Sequence, residues 1–303
     1  MLKIENTEVM GWEAAIRGMR NPMNSWGMSD SCWIADNDGR YTGKFEIGTN
    51  DLDLMKKLRN AGTDHRKFMR MITVYCDITA PLYWWKEFDT YKVGTVANSC
   101  STMHKIADKD FTLEDFSCEH LIGVDSMPDD ALISGKYPFV DVTPYKDKGI
   151  VYSPLGLLNI TIAMLNECRM KYLTALKTEP ETGLSAKDIW WQMIQLLPSS
   201  YNQRRTVMLN YEVLANIYKS RRNHKLDEWH TFCDLVESLP YSELITGVNR
   251  MDVQRVDSPK IKFTDEDRTY LCSLVDHFNA IGNLNPVSPE DLKQALNEKG
   301  ELT

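Results

Sequence analysis

The sequence predicts an α+β protein with its strands early and its helices late. Two observations carry this. Between Phe68 and Ile78 apolar residues alternate with more polar ones, the period of a strand. From Ser153 onward, helical apolar spacing recurs in successive segments that open on a capping residue and close near Gly or Pro.

The elements follow in chain order. "GWEAAIRGMRNP", Gly11 to Pro22, is a short amphipathic helix stopped by Pro22. "NSWGMSDSCWIADNDGRYTG" reads as loop and turn, with a tight-turn signal at Asn37-Asp38-Gly39. "NDLDLMKKLRNAG" is a second helix, capped by Asn50 or Asp51 and ended by Gly62. Phe68, Ile72, Val74, Cys76 and Ile78 then form one face of a strand over 68–79, with Arg70 its one polar break. Pro81 suits the first turn of a helix through "LYWWKEF". Residues 107–150 are acidic, rich in Pro and Asp and poorly periodic, a long excursion with one short strand near "HLIGV". Ser153-Pro154 open a helix that runs to about residue 177. "SAKDIWWQMIQLL" has a capping box from Ser185 to Asp188 and ends at Pro198. "QRRTVMLNYEVLANIYKSRR", Gln203 to Arg222, reads as one helix, and "KLDEWHTFCDLVESL" as the next. Residues 1–250 form one domain, and 251–303 a helical C-terminal extension with two capped segments.

Composition narrows the function. A net charge of -8 over 303 residues argues against a nucleic-acid polymer as partner, since phosphate contacts need clustered Lys and Arg. It leaves room for a local basic pocket. The N-terminus lacks a secretory pattern, and no apolar run approaches the roughly 20 residues a membrane helix needs. Seven scattered cysteines suit reduced thiols, so a cytoplasmic protein without membrane contact is expected. Dinucleotide fingerprint, phosphate-binding loop and G-x-S-x-G are all missing. Cys118 with His120, and His230 with Cys233, lack the paired spacing of a zinc site; both read as packing, and no metal is expected. The pairs Trp84-Trp85 and Trp190-Trp191 read as buried aromatics.

Three constellations hold candidate chemistry. The first is His65, at the entrance of the strand; by default it is a turn residue. The second lies on the segment read as a helix from Gln203. There Val207, Tyr211, Leu214 and Tyr218 make an apolar stripe, and Asn210 and Arg221, eleven apart, sit on one edge of it. An amide and a guanidinium beside an apolar face can grip a planar, phosphorylated ligand. From these residues alone the default explanation is a solvated helix margin with Arg complementing the helix dipole. The third is "TYKVGTVANSCSTMHKI", Thr90 to Ile106. Lys92 supplies a cation, Thr95, Asn98, Ser101 and Thr102 supply small hydrogen-bonding groups, and Gly94 allows close backbone approach. This composition is that of a ligand cradle or of a plain connecting loop.

In order and spacing the three resemble the flavin-dependent thymidylate synthases. That family has a "GH" before a strand ending in "AP", a helix with Gln, and the motif RHRxxSxNxxSxRY; a later helix is of the type "LP…N…N…R", followed by a Glu. Here His65 stands fifteen residues before Ala80-Pro81, and after Leu197-Pro198 the residues Asn210, Asn216 and Arg221 match the family's two Asn and its Arg without a gap. Glu228 follows in "DEW", and "GWEAAIRGMRNP" is similar to the family's opening "AxRxS" helix, with Pro22 in place of Ser. The motif is rewritten. Thr90, Tyr91 and Lys92 stand where the family has Arg-His-Arg, and Glu87 replaces the Gln that reads the pyrimidine. With a one-residue insertion Asn98 and Ser101 match, and Met103-His104 replace Arg-Tyr.

The resemblance implies a small mixed sheet that includes 68–79, packed against long helices near 154–177 and 203–221. It implies FAD as cofactor, methylenetetrahydrofolate and NADPH as cosubstrates, and one-carbon transfer to C5 of a pyrimidine deoxynucleotide. His65 would be catalytic and flavin-contacting. Tyr91, Lys92, Thr95, Asn210 and Asn216 would bind the cofactor, and Glu87, Asn98, Ser101 and Arg221 the substrate. A homotetramer with residues 90–104 at a subunit interface is implied as well. The alternative is a non-catalytic descendant that keeps the fold for nucleotide binding or scaffolding. Arg204, Arg205 and Arg222 are the candidates to replace the two missing guanidinium groups.

Overall fold

The computed structural model describes residues 2–36, 38, 40–123, 153–178 and 183–247, all within one unit, Met1–Gly247. The C-terminal extension and most of the acidic excursion lie outside the described residues. The elements in chain order are β1 (Lys3–Met10), α1 (Trp12–Arg20), β2 (Cys32–Ala35), β3 (Tyr41–Glu46), α2 (Thr49–Asn60), β4 (Thr73–Pro81), α3 (Leu82–Phe88), β5 (Val96–Ser99) and the short α4 (Thr102–Lys105). They continue with α5 (Pro154–Ala175), α6 (Ala186–Leu196), β6 (Asn202–Asn210), α7 (Tyr211–Arg221), α8 (Asp227–Ser238) and the short α9 (Glu243–Thr246).

The α+β class holds. The main sheet has the order β1-β4-β6-β5, and all three pairings are antiparallel, where a mixed sheet was expected. The reason is topological: β4 and β5 run in the same direction, but β6, arriving late in the chain, inserts between them. One face of the sheet is core, with Val74, Cys76, Ile78, Val207 and Leu209 buried. Against it pack Trp84, Trp85 and Phe88 of α3, Leu214 and Ile217 of α7, and Trp229 and Phe232 of α8. Trp84 touches Trp85, Phe88, Trp229 and Phe232 within ring-centroid distances of 5.9 Å. Truncating one of these aromatics costs about 3–5 kcal/mol. A second, smaller core lies beneath α5 and α6, around Phe111, Phe116, Leu165 and Met193.

Several sequence signals perform as read. Ser153 caps α5 by accepting from the Gly156 amide at 3.0 Å, and Ser185 and Asp188 form the capping box of α6. Pro81 sits at the entry to α3. The α2 terminus is built differently: Gly48 occupies the cap position, and the Asp30 carboxylate accepts from the Asn50 and Asp51 amides at 2.9 and 3.1 Å. Asp51 turns inward, fully buried, and takes Arg20 Nε and the hydroxyls of Ser29 and Ser31, each at 2.6 Å.

Five expectations are corrected. Residues Arg66–Met71 form a 3-10 helix and the strand starts at Thr73. Phe68 and Met69 are both buried, which neighbours on a strand over a single core face cannot be, and a helical turn achieves it. The stretch from Gln203 is not one helix. Asn202–Asn210 pairs with β4 along its whole length, Asn202 opposite Pro81 through Asn210 opposite Thr73. The apolar side of that strand runs on into the apolar stripe of α7, so the join imitates one helical period. The stretch 24–43, read as loop and turn, contributes to a hairpin of β2 and β3, with Trp33 packed edge-on to Phe45 and Asp36 accepting from the Asp38 and Arg40 amides. No strand forms at His120–Gly123; a turn closes there from the Leu121 amide to the Cys118 carbonyl. Trp84 and Trp85 are buried as expected, but Trp191 is exposed.

Candidate functional site

The sequence-predicted residues gather around α7. Its first turn is capped by Asn210, whose Oδ1 accepts from the Val213 amide at 2.9 Å. Asn210 is therefore the buried last residue of β6, not a member of the helix. Arg221 closes the same helix, and eleven residues at 1.5 Å each put the two about 16 Å apart. One small group cannot be gripped by both, which corrects the idea of a shared edge.

The loop after α3 joins these ends. Tyr91 reaches Arg221, its hydroxyl taking Nε at 2.9 Å. Three residues on, Gly94 lies on Asn210, with a left-handed φ of 76°; a Cβ there would stand 2.6 Å from Asn210 Nδ2. The loop thus runs along α7 from C-terminal to N-terminal end, and glycine is required by both conformation and space. Lys92 is exposed beside it. The Thr95 hydroxyl is buried without a hydrogen-bond partner among the described residues.

At the C-terminal end of α7, Glu87 and Arg221 form a bonded pair. Arg221 Nη1 donates to Glu87 Oε2 at 2.7 Å, and Trp229 Nε1 donates to the same oxygen at 2.9 Å. His224 Nε2 lies 3.4 Å from it. The guanidinium carbon sits 4.8 Å from the Trp229 ring centre and 5.6 Å from that of Tyr91. Glu87, Tyr91 and Arg221, up to 134 residues apart, meet in one polar cluster walled by aromatics.

A second polar cluster occupies the N-terminal half of α7. The buried Glu212 carboxylate takes Arg66 Nε at 3.4 Å and a closer bond from Arg70, whose guanidinium is thereby held above its ordinary pKa. Arg66 Nη2 also reaches Asn216 Oδ1 at 3.4 Å. His65 precedes Arg66, exposed, with no side-chain hydrogen bond among the described residues. His65 and Asn216 are thus brought to one side of α7 through Arg66.

Asn98 and Ser101 are placed separately. Asn98 is on β5 opposite Thr206, exposed. Ser101 caps α4 and lines a cleft of about 460 Å³ with Leu82, Ser99, Met103, Gln203 and Arg205. Arg205 lies 4.2 Å over the Trp85 ring, its Nε on Gln203 Oε1 at 2.9 Å and Nη1 on Asp89 at 2.7 Å. Arg204 instead bonds Asp77 at 2.8 Å on the other face of the sheet.

Sequence reasoning missed Trp229, His224, Arg66 and Glu212. Trp229 stands in the "DEW" that drew attention to Glu228, yet among the described residues Glu228 receives just the Tyr83 hydroxyl, whose acidity burial and that carboxylate suppress. The Glu212 cluster had a signal: a Glu in the first turn of an apolar helix needs partners if buried. Among the described residues no group of three or more His, Cys, Asp or Glu is placed to hold a metal, and no helix is long and apolar enough to cross a membrane.

No family model and no curated protein matches the chain. Solved structures do. The chain is similar to thymidylate synthase X from Helicobacter pylori, with FAD and dUMP, at 13% identity and a TM-score of 0.49, over 82% of this chain and 98% of that one. A second structure of the flavin-dependent thymidylate synthase of that organism, complexed with FAD and dUMP, gives 14% and 0.48 over 81% and 98%. A UMP/dUMP methylase, PolB from Streptomyces cacaoi bound with 5-Br UMP, gives 12% and 0.44 over 78% and 88%.

Proposed function

We propose that the chain is a flavin-dependent enzyme of the thymidylate synthase type. On this reading it transfers a one-carbon unit to C5 of a pyrimidine deoxynucleotide, with FAD bound and methylenetetrahydrofolate and NADPH as cosubstrates. One observation carries it. Arg221, picked from the late helix, bonds Glu87 and Tyr91 of the early segment, 134 and 130 residues away, at 2.7 and 2.9 Å. A chance pattern has no reason to converge in space.

The residues present fit a flavin by their donor chemistry. The exposed Asn216 amide both donates and accepts, as the pyrimidine edge of the ring requires. Lys92 supplies an exposed cation for its diphosphate, and the Thr95 hydroxyl is a buried group without a hydrogen-bond partner among the described residues. His65, Lys92, Thr95 and Asn216 would hold the cofactor, while Asn210 is committed to capping α7 and would act through the placement of Gly94. When bound, a reduced flavin supplies hydride. The chain positions its ligands, with Arg221 and Glu87 on the nucleotide side, and Asn98 and Ser101 beside the cleft.

A homotetramer belongs to the same reading. Val93, Val96 and Met103 are exposed in the segment proposed for the interface, and α5 exposes Leu157, Ile160 and Met164 besides its buried face. A helix apolar on more than one side is one that a partner covers.

The test is a visible flavin spectrum on the purified protein, with label transfer from methylenetetrahydrofolate to deoxynucleotide. A colourless protein that gains no flavin on titration refutes the proposal. The second reading, a non-catalytic nucleotide-binding descendant, is favoured by one feature: two Arg221 donors are already satisfied within the chain.

A further inference from the structure

The turn from α7 to α8 is built around His224. Its amide closes the end of α7, donating to the Arg221 carbonyl at 2.9 Å. Its ring is used on both edges. Nδ1 accepts from the Leu226 amide at 3.2 Å, and Nε2 lies 3.4 Å from Glu87 Oε2. Leu226 stands at the cap position of α8, where its apolar side chain makes no cap, and its carbonyl takes the Trp229 amide at 3.1 Å. Trp229, fully buried, donates its indole Nε1 to the same Glu87 oxygen at 2.9 Å. One imidazole thus fixes the start of α8, and through Leu226 and Trp229 it fixes the cluster around Glu87.

These contacts fix where the ring can carry protons. A ring nitrogen that accepts from an amide carries none, so the neutral ring has its proton on Nε2, the edge toward Glu87. An imidazolium has an N–H on both edges. Proton uptake therefore sets an Nδ1–H donor against the Leu226 N–H donor, and that bond is lost. At the other edge the added charge turns the Glu87 contact into a charge-assisted one. The charged groups around the ring are Glu87 of α3 and Arg221 of α7, which shares that carboxylate and bonds Tyr91. From α8 the Trp229 ring faces it edge-on at 6.3 Å, and an indole does not titrate.

We infer that the α7–α8 turn is a proton-operated latch: neutral His224 holds it shut through Leu226, and the protonated ring releases that amide and closes on Glu87. The first turn of α8 then loosens, and the Trp229 indole shifts against Glu87. The latch is a property of the chain itself and does not depend on which ligand the cluster takes.

Nuclear magnetic resonance on the full chain tests it, for wild type and for His224→Asn. The Asn oxygen can accept from an amide two residues on and takes up no proton. As pH falls from about 8 to about 5, the range in which histidine changes charge, the wild-type Leu226 amide and Trp229 indole signals are expected to move together with those of the His224 ring. At the acid end the Leu226 amide should exchange with solvent roughly fivefold faster in wild type than in His224→Asn at the same pH, the loss of one hydrogen bond. At the alkaline end the two rates should match, and the wild-type ring should carry its proton on Nε2. Leu226 and Trp229 signals that stay fixed while His224 titrates overturn the inference. So does the same response in His224→Asn, or a neutral ring protonated on Nδ1. Should the variant not fold, the wild-type titration alone decides.

Discussion

Removing Arg221 should destabilise the fold by about 2 kcal/mol. A cation at a helix C-terminus is ordinarily worth about 0.3–1 kcal/mol through the dipole, and from the sequence that is all Arg221→Ala should cost. The structure raises the figure. Arg221 donates to Glu87 and to Tyr91, and its guanidinium lies over Trp229. Two charge-assisted bonds at the lower end of their range come to about 3 kcal/mol. The partial exposure of Glu87 reduces this by water replacing the lost donor, and about 2 kcal/mol remains. Urea denaturation measures it: with a slope of about 2 kcal/mol/M the midpoint falls by about 1 M. Glu87→Gln in the same background completes a cycle, and a coupling of about 1 kcal/mol or more isolates the pair. A loss below about 0.5 kcal/mol, or additive single effects, refutes the clamp and returns Arg221 to a solvated helix end.

Three further outcomes follow from particular contacts. Asn210→Ala, which removes the α7 cap, should cost about 1 kcal/mol while Asn210→Ser keeps most of it, read by denaturation and by faster exchange of the Val213 amide. Burial pushes the Asp51 carboxyl up, but the Ser29, Ser31 and Arg20 bonds more than offset this and hold it below its ordinary value of 3.8. The unfolded chain therefore takes up the proton first: the stabilisation is whole above 3.8, declines as pH falls below it, and Asp51→Asn should flatten acid unfolding curves there. His65→Ala should change stability by less than about 0.5 kcal/mol, since the side chain is exposed and unbonded, yet lower flavin content or turnover; a melting-temperature fall with normal flavin would make His65 structural.

Legibility in the sequence followed the range of the interaction. Caps and stops are local, so Ser153, the Ser185–Asp188 box and the Pro81 entry to α3 could be read directly. The strand pairing of Asn202–Asn210 could not, because its partner lies 121 to 137 residues earlier and its own apolar residues match a helical period where they meet α7. Alternation alone cannot tell a 3-10 turn with two adjacent buried residues, Phe68 and Met69, from the start of a strand. Of the site, Glu87, Tyr91 and Arg221 came from a pattern match, and the structure unites them. Trp229 and His224 were invisible because one bonds Glu87 and the other lies 3.4 Å from it across more than 130 residues, without any motif of their own.

The guanidinium groups missing at Thr90 to Lys92 leave a question of charge, and strand alternation answers it. Arg204 and Arg205 are neighbours in sequence and opposite in direction, because side chains on a strand alternate between faces. Arg204 turns to the solvent face, where Asp77 takes it and Thr206 and Asn6 bond the same carboxylate, depressing its pKa strongly. Its charge is spent there. Arg205 turns to the other side and is pinned in place, stacked on Trp85 and tied to Asp89 and Gln203. Gln203 in turn bonds the Cys100 carbonyl and the Thr102 hydroxyl, so the loop that follows β5 is fixed to the same strand. One arginine of the pair therefore faces the cleft beside Ser99 and Ser101, and it is held by contacts that leave Nη2 without a bond among the described residues. Neither arginine restores a free charge, since Asp77 pairs Arg204 at 2.8 Å and Asp89 pairs Arg205 at 2.7 Å, and Lys92, exposed, is the cation that the rewritten motif keeps.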